Sequence, residues 1–528
     1  MPTTTGWRDR RLARSSALRS GGAGAGCPCS VCPLAKLLPV PDAAPISLPD
    51  GLLGSGPRRS LWLAEALADA APHEYPRLVG PQNADVCIVG GGFTGLWTAL
   101  ELRARDPGAS VAVVESDICG AGASGRNGGF ALTWWSKFLS LRKLCGPEAA
   151  LELGHRSARA VAQIGEFCTQ RGLEDCFEQS GWAWTATNPS QVDAWDATLN
   201  ALDAAGIAPY RSLTHSELSE MSGSPVHLAG VLDPAAASVQ PARLARELAR
   251  AAREGGVSVF ERSPVRSIEA DARATDGSHR TRVVTAGGVV VCEQVVVALN
   301  AWAARIPEIG RGLVVVASDM IATERVPERF AEMDLATQVA ISDSRRLVNY
   351  YRRTGDGRMV FGKGGGAVAF GARIGANFDD PQDRAQELRR QLQRIYPTLW
   401  DVPIARRWSG PIDYSLSGVP FFVRLSAMPS VLVGVGFSGD GVGPSRLAGE
   451  ALARMALEGG DGGLPQALTR VPAKPLPPEP VRYLAARAVR AAVARKERAE
   501  DLGDRGSRSV RLVAALDPTS FVDRGVSR

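Results

Sequence analysis

DVCIVGGGFTGLWTALELRARDPGASVAVVESDICGAGASGRNGGF, residues 85–130, decides the fold of this 528-residue chain. Residues 86–89 (VCIV) are apolar and read as a buried parallel strand. Gly90, Gly92 and Gly95 follow in G-x-G-x-x-G spacing, and an amphipathic segment starts near Leu96. The first glycine permits a tight turn, the second lets a pyrophosphate approach the backbone, and the third lets helix and strand pack closely. Phe93 and Thr94, inside the motif, belong to the same contact surface. The helix N-terminus offers free N–H groups and the positive end of a dipole to phosphates. A second strand, 110–115, ends in Glu115, about 20 residues past the last glycine, where an acid can hold a ribose hydroxyl. Strand, glycine turn, helix, strand and acid in this order predict a dinucleotide site.

The next stretch, 120–130 (GAGASGRNGGF), is rich in glycine and alanine, so backbone amides can approach a flat ligand. Ser124, Gly128 and Gly129 belong to that loop; Arg126 offers fixed positive charge near phosphates or ring, and Asn127 a donor and an acceptor. A nicotinamide enzyme has no need of such a loop directly after the acid-bearing strand, whereas a larger, buried cofactor does.

Residues 85–130 resemble the FAD-binding start of the D-amino-acid oxidase-like superfamily of amine oxidoreductases, and GASGRNGGF is similar to the loop of its γ-glutamylputrescine oxidoreductase subgroup. The resemblance runs over roughly residues 60–460. It implies an α/β fold, with a Rossmann-like FAD-binding domain interleaved with an α+β substrate domain on a mostly antiparallel sheet. It also implies that Val265 binds adenine through its backbone and that Asn300, after the apolar runs of 288–306, lies near the flavin. Residues 431–450 (VLVGVGFSGDGVGPSRLAGE) match the family's closing motif: an apolar strand, a glycine turn holding Gly436, Ser438, Gly439, Gly441 and Val442, and a helix from near Pro444. A helix N-terminus aimed at the flavin would stabilise negative charge on the reduced ring. No cysteine stands in that turn, so non-covalent FAD is expected.

The chemistry-facing candidates come from the second domain. Asn349, Tyr350, Tyr351 and Arg352 end a strand, and Tyr and Arg can bound an amine pocket. Lys363, beside three glycines, reads either as a surface lysine or as an ammonium near the flavin; related sarcosine-oxidising enzymes use a lysine on a comparable strand in oxygen reduction. Trp408 and Tyr414 resemble residues at the floor of the substrate site, with core packing as the other account. The catalytic candidates are Lys363, Tyr351, Arg352, Trp408 and Tyr414.

The expected partition is an unstructured extension at 1–58, FAD-domain segments at 60–175, 226–312 and 405–460, substrate-domain segments at 176–225 and 313–404, and a proline-rich linker with C-terminal helix and tail at 461–528. Cys27, Cys29 and Cys32 lack a nearby fourth ligand and read as incidental thiols, and the five histidines show no ligand spacing, so no metal is expected. The formal net charge of +6 is small, basic residues are not interleaved with aromatics, and no run of 18 apolar residues occurs. Nucleic-acid binding and firm membrane association are therefore not expected. Arg8, Arg10 and Arg11 are followed by Ser, Gly and Ala rather than an apolar core, which leaves the cytoplasm. Nothing in the sequence signals an oligomeric state.

The function expected is oxidation of a C–N bond by FAD, with a small-molecule amine and O2 as partners and peroxide as product. The rivals are a dehydrogenase of the same family feeding a quinone or carrier protein, a nicotinamide-dependent reductase, and a flavin-binding sensor or assembly subunit without turnover.

Overall fold

The computed structural model describes residues 44–48, 59–68, 74–271, 280–335, 337–472, 474–504 and 506–516; the Cys27, Cys29 and Cys32 cluster lies outside them. Two large sheets organise the chain. The first has nine strands, in the order Ile46–Ser47, Val265–Asp271, Arg280–Thr285, Gly288–Val297, Gly80–Val89, Val111–Val114 and Ser258–Phe260, with Val431–Val435 and Phe421–Arg424 branching from it. Gly288–Val297 runs parallel to Gly80–Val89 along its length, while its other edge pairs first with Arg280–Thr285 and then with Val431–Val435. This parallel centre is buried on both faces, which is why its strands read as unbroken runs of valine and isoleucine.

Helix Phe93–Arg105 covers one face and buries Phe93, Leu96, Trp97 and Leu102. Against it packs helix Pro444–Glu458, started by a proline whose missing N–H costs nothing in a first turn. The close approach depends on Gly449, where a Cβ would meet Trp97 Cβ at 2.5 Å and the Trp97 carbonyl carbon at 2.7 Å. An ion pair between Arg446 and Glu101 (2.7 Å) fixes the register of the two helices.

The second sheet has eight strands, in the order Ile404–Ser415, Leu313–Thr323, Met359–Lys363, Asn349–Arg353, Ala340–Asp343, Trp182–Ala186, Ala229–Asp233 and Arg211–Leu213. All neighbours are antiparallel except Ala340–Asp343 with Trp182–Ala186. The α/β class with a mostly antiparallel second sheet is as expected.

Several local expectations differ. Ile46 and Ser47, inside the supposed extension, pair with Ile268 and Ser267 of the first sheet. Ala229–Asp233 and Ile404–Ser415 join the second sheet, although the cuts at 225/226 and 404/405 assigned most of their residues to the FAD domain. Alternating burial marks a strand but not the sheet that receives it; partners distant in sequence decide that. The apolar runs within 288–306 form a single strand, Gly288–Val297. Helix Asp196–Asp203 follows a separate short turn, Pro189–Gln191, whose start Asn188 caps. The C-terminal tail after helix Val481–Asp501 holds a second helix, Arg508–Ala514, which packs Ala514 against Ala492 and Val493. Among the described residues no helix is long and apolar enough to cross a membrane.

Gly449→Ala, normally helix-favouring, is expected to destabilise the protein by about 1–3 kcal/mol through overpacking against the Trp97 backbone; urea unfolding of variant and wild type measures it.

Candidate active site

A cavity of about 800 Å³ lies between the two sheets, and most of the motifs read from the sequence converge on it. Gly90 (φ +114°) turns the chain at the end of the first strand, and a Cβ there would meet the Ala298 carbonyl oxygen at 2.5 Å. A Cβ on Gly95 would meet the Gly90 carbonyl oxygen at 2.1 Å, so only glycine allows the helix to lie this close to its strand. Gly92 precedes the helix, which has no side-chain cap from that residue; Ser124 Oγ accepts from Phe93 N at 2.9 Å. Gly90, Gly92, Phe93, Thr94 and Ser124 line the cavity.

Glu115, also in the lining, is held by three donors: Gly91 N at 2.8 Å on one oxygen, Ser116 Oγ (3.0 Å) and Asp117 N (2.9 Å) on the other. Burial raises its pKa, and these hydrogen bonds oppose the rise. Val265, Asn300, Gly128, Ser438, Gly439, Gly441, Val442 and Tyr414 line the cavity too. Asn300 adopts φ +48°, and its buried Oδ1 has no hydrogen-bond partner among the described residues. A glycine cradle before a helix N-terminus, a fixed acid at the second strand and this unpartnered oxygen together fit FAD.

Other expected residues do different work. Arg126 reaches the cavity wall, but its guanidinium is 1% exposed and turned away from a ligand: it pairs with Asp379 and donates to the carbonyl oxygens of Ala121 (2.9 Å) and Ser409 (3.1 Å). Asn127 likewise spends its side chain on its own loop, donating to Ala123 and Ser124 carbonyls and accepting from Gly129 N at 2.7 Å. Gly129 and Gly436 do not line the cavity. Gly129 packs against the Val239 carbonyl, where a Cβ would come within 2.2 Å, and Gly436 N donates to Asp413. Gly95 serves packing alone.

Of the five catalytic candidates, only Tyr414 lines the cavity. Tyr351 is buried on the other face of its strand, stacked on Phe361 and within 3.2 Å of His227 Nε2. Its neighbour Tyr350 faces the cavity instead, its hydroxyl 2.7 Å from Ser318 Oγ. Arg352 ties loops together, donating to Gly128 and Val239 carbonyls and lying over Trp62. Trp408 is a core residue whose Nε1 donates to the Arg126 carbonyl at 2.9 Å. Lys363 points away: its Nζ donates to the Leu347 carbonyl (2.9 Å) and Asn349 Oδ1 (3.2 Å), and burial lowers its pKa. Its glycine neighbours Gly364 and Gly365, not its ammonium, reach the cavity. Period-two alternation makes Tyr350 and Tyr351 exclusive choices, but the inward face becomes visible only once the sheet is placed. Sequence reasoning missed Lys137, the stacked pair Trp182 and Trp184 (centroids 5.7 Å apart), Ser318 and Asp440, all on the cavity wall. GWAWT carried an aromatic signal; the others carried none.

Residues 85–455 match the family model described as FAD dependent oxidoreductase. The chain belongs to this family. It is similar to the γ-glutamylputrescine oxidoreductase of Escherichia coli, 31% identical over 400 residues that cover 75% of this chain and 88% of that protein. Its fold is that of the glycine oxidase from Geobacillus kaustophilus (TM-score 0.59, 22% identity, 74% of this chain and 99% of that one) and of an L-proline dehydrogenase from P. horikoshii (TM-score 0.57, 19% identity, 74% and 96%). The chain is thus an FAD-dependent flavoenzyme, as the glycine motifs and Glu115 require.

Glu115→Ala is expected to weaken FAD binding by roughly tenfold or more, the worth of hydrogen bonds to a charged group; fluorescence titration of apoprotein with FAD measures it. A second expectation concerns Asp413, whose carboxyl holds the closing turn through Gly436 N and is pushed up to about 7 by burial. An acid whose folded pKa exceeds its unfolded value near 4 binds its proton more tightly in the fold, so stability falls as pH rises through about 4 to 7. Asp413→Asn should flatten that fall in a series of denaturant melts.

Proposed function

We propose that this chain oxidises the carbon–nitrogen bond of an amine or amino acid at non-covalently held FAD and passes the electrons to dioxygen. The observation that carries the reading is the composition of the cavity. One part offers glycines, Glu115 and the closing turn to a dinucleotide, and the rest offers Trp182, Trp184, Tyr350, Ser318, Lys137 and Asp440 to a small polar molecule. The likeness to γ-glutamylputrescine oxidoreductase supports an amine with a γ-glutamyl or amino-acid character, and N-methyl amino acids belong to the same class of candidates.

Bound FAD supplies a two-electron acceptor for a hydride equivalent. The protein supplies position and environment. The indole pair Trp182 and Trp184 gives an apolar, electron-rich wall for an alkylamine chain and keeps water from it. Tyr350, whose hydroxyl is buried and kept protonated by that burial, presents a neutral donor beside Ser318. The positive N-terminal end of helix Pro444–Glu458 follows the closing turn and favours negative charge there. The substrate loses two electrons and two protons, as a hydride from carbon and a proton from nitrogen, to become an imine, which water cleaves to an aldehyde or oxo-acid and ammonia or a smaller amine. Dioxygen takes up the two electrons and two protons as hydrogen peroxide.

Anaerobic mixing of the FAD-loaded protein with polyamines, γ-glutamylputrescine, N-methyl amino acids and amino acids should bleach the visible flavin absorbance for at least one class. Admission of air should then restore it with one peroxide per substrate consumed. Bleaching without peroxide would transfer the electrons to a quinone or carrier protein instead. A flavin left oxidised by every amine would sink the proposal.

A further inference from the structure

Asp440 stands out on the cavity wall. Both its carboxylate oxygens are buried, and neither has a hydrogen-bond partner among the described residues. Such a group is costly to leave uncompensated. Its neighbour in charge, Asp233, is satisfied: Thr133 Oγ1 donates to it at 2.6 Å and Ala235 N at 3.0 Å. Asp440, held between Gly439 and Gly441, is not. Burial pushes it up to about 6, Lys137 opposes that rise and Asp233 adds to it. The hydroxyl of Tyr210, buried and also unpartnered among the described residues, is pushed up by burial and by Asp233 and Asp440.

Lys137 ends the short turn Trp135–Lys137 and lines the same cavity as Asp440, yet no ion pair joins the two. Two opposite charges thus face one cavity without direct contact between them, and the stacked Trp182 and Trp184 share that wall. A simple cation at Asp440 would meet the repulsion of Lys137, and a simple anion at Lys137 that of Asp440. A zwitterion meets neither.

We propose that Asp440 and Lys137 together recognise an α-amino-acid group of the substrate, its ammonium on Asp440 and its carboxylate on Lys137, remote from the nitrogen that is oxidised. The proposal rests on the amine-oxidising reading and narrows it to substrates carrying an amino-acid head and a second, reacting amine. The separation of the two nitrogens follows from chemistry. A hydride leaves carbon only when the adjacent nitrogen can donate its lone pair, and an ammonium clamped by a carboxylate has none free. Glu115, Asn300 and the backbone amides already account for a dinucleotide, so the Asp440 carboxylate is left for the substrate.

The test uses γ-glutamyl-n-butylamide, which has the head group but no oxidisable terminal amine, with glutaryl-n-butylamide lacking the ammonium and 4-aminobutyryl-n-butylamide lacking the carboxylate. Binding to FAD-loaded protein is followed by calorimetry. Wild type should bind γ-glutamyl-n-butylamide at least about tenfold more tightly than either truncated amide, as expected for a charged hydrogen bond. Asp440→Asn should erase the preference over the glutaryl compound and keep the preference over the 4-aminobutyryl one; Lys137→Gln should do the reverse. Equal binding of all three amides by wild type overturns the proposal. So does loss of FAD from Asp440→Asn, which would assign the carboxylate to the cofactor, or an equal loss for every amide, which would assign it to the shared alkyl end. Should Asp440→Asn fail to fold, Lys137→Gln decides the matter from the carboxylate side. Because calorimetry reads binding and not flavin reduction, these outcomes are distinguishable from those of the flavin-reduction assay. Selective binding with no reducible amine would sink the functional reading and leave the recognition pair standing.

Discussion

A buried guanidinium joins the two halves of this molecule. Arg126 leaves the glycine loop after the second strand, holds that loop through the Ala121 carbonyl, and reaches across to Asp379 and the Ser409 carbonyl of the second sheet. Burial lowers its pKa, and Asp379 opposes that fall. A buried charge of this kind persists only with a partner and a full set of acceptors, so loop, helix Ala376–Asp379 and strand Ile404–Ser415 must assemble together. The cavity exists because this joint fixes the distance between the sheets, and Trp408 closes it by donating to the Arg126 carbonyl.

The other wall is organised by an acid as well. Asp413 lies in the same strand, four residues after Ser409, and takes the Gly436 N–H of the closing turn. One strand of the substrate sheet therefore positions both glycine-rich loops of the cofactor sheet. That arrangement explains why Ile404–Ser415 is the longest strand of its sheet and why it does not respect a simple division of the chain into cofactor and substrate segments.

The far C-terminal helix, Val481–Asp501, lies outside the stretch that matches the family yet reaches the cavity's lining segment. Asp501 pairs with Arg345, Glu497 accepts from Leu347 N at 2.9 Å, and Arg490 donates to the Gly365 carbonyl. Residues 345, 348 and 365 face the cavity, so this helix buttresses them from behind. Its apolar face is mostly alanine; ion pairs and backbone acceptors hold it rather than hydrophobic area.

The strand, glycine turn, helix and acid of residues 85–115 were legible from sequence because each depends on spacing within one supersecondary unit. Gly90 turns the chain and Gly95 lets the helix lie close to its strand, as their positions imply, and the turn after Val431–Val435 and the helix at Pro444 form where expected. These settle the family and its cofactor. The roles of Arg126, Tyr350 and Tyr351, Lys363 and Asp440 depend on residues brought from elsewhere: Arg126 meets an acid 253 positions away, and Lys363 turns toward carbonyls that only the sheet supplies. A side chain's chemistry is written in its sequence, but whether it faces ligand or core is set by the sheet register and by the partner that reaches it first. The cofactor was thus a local property of this chain, and the substrate wall a tertiary one.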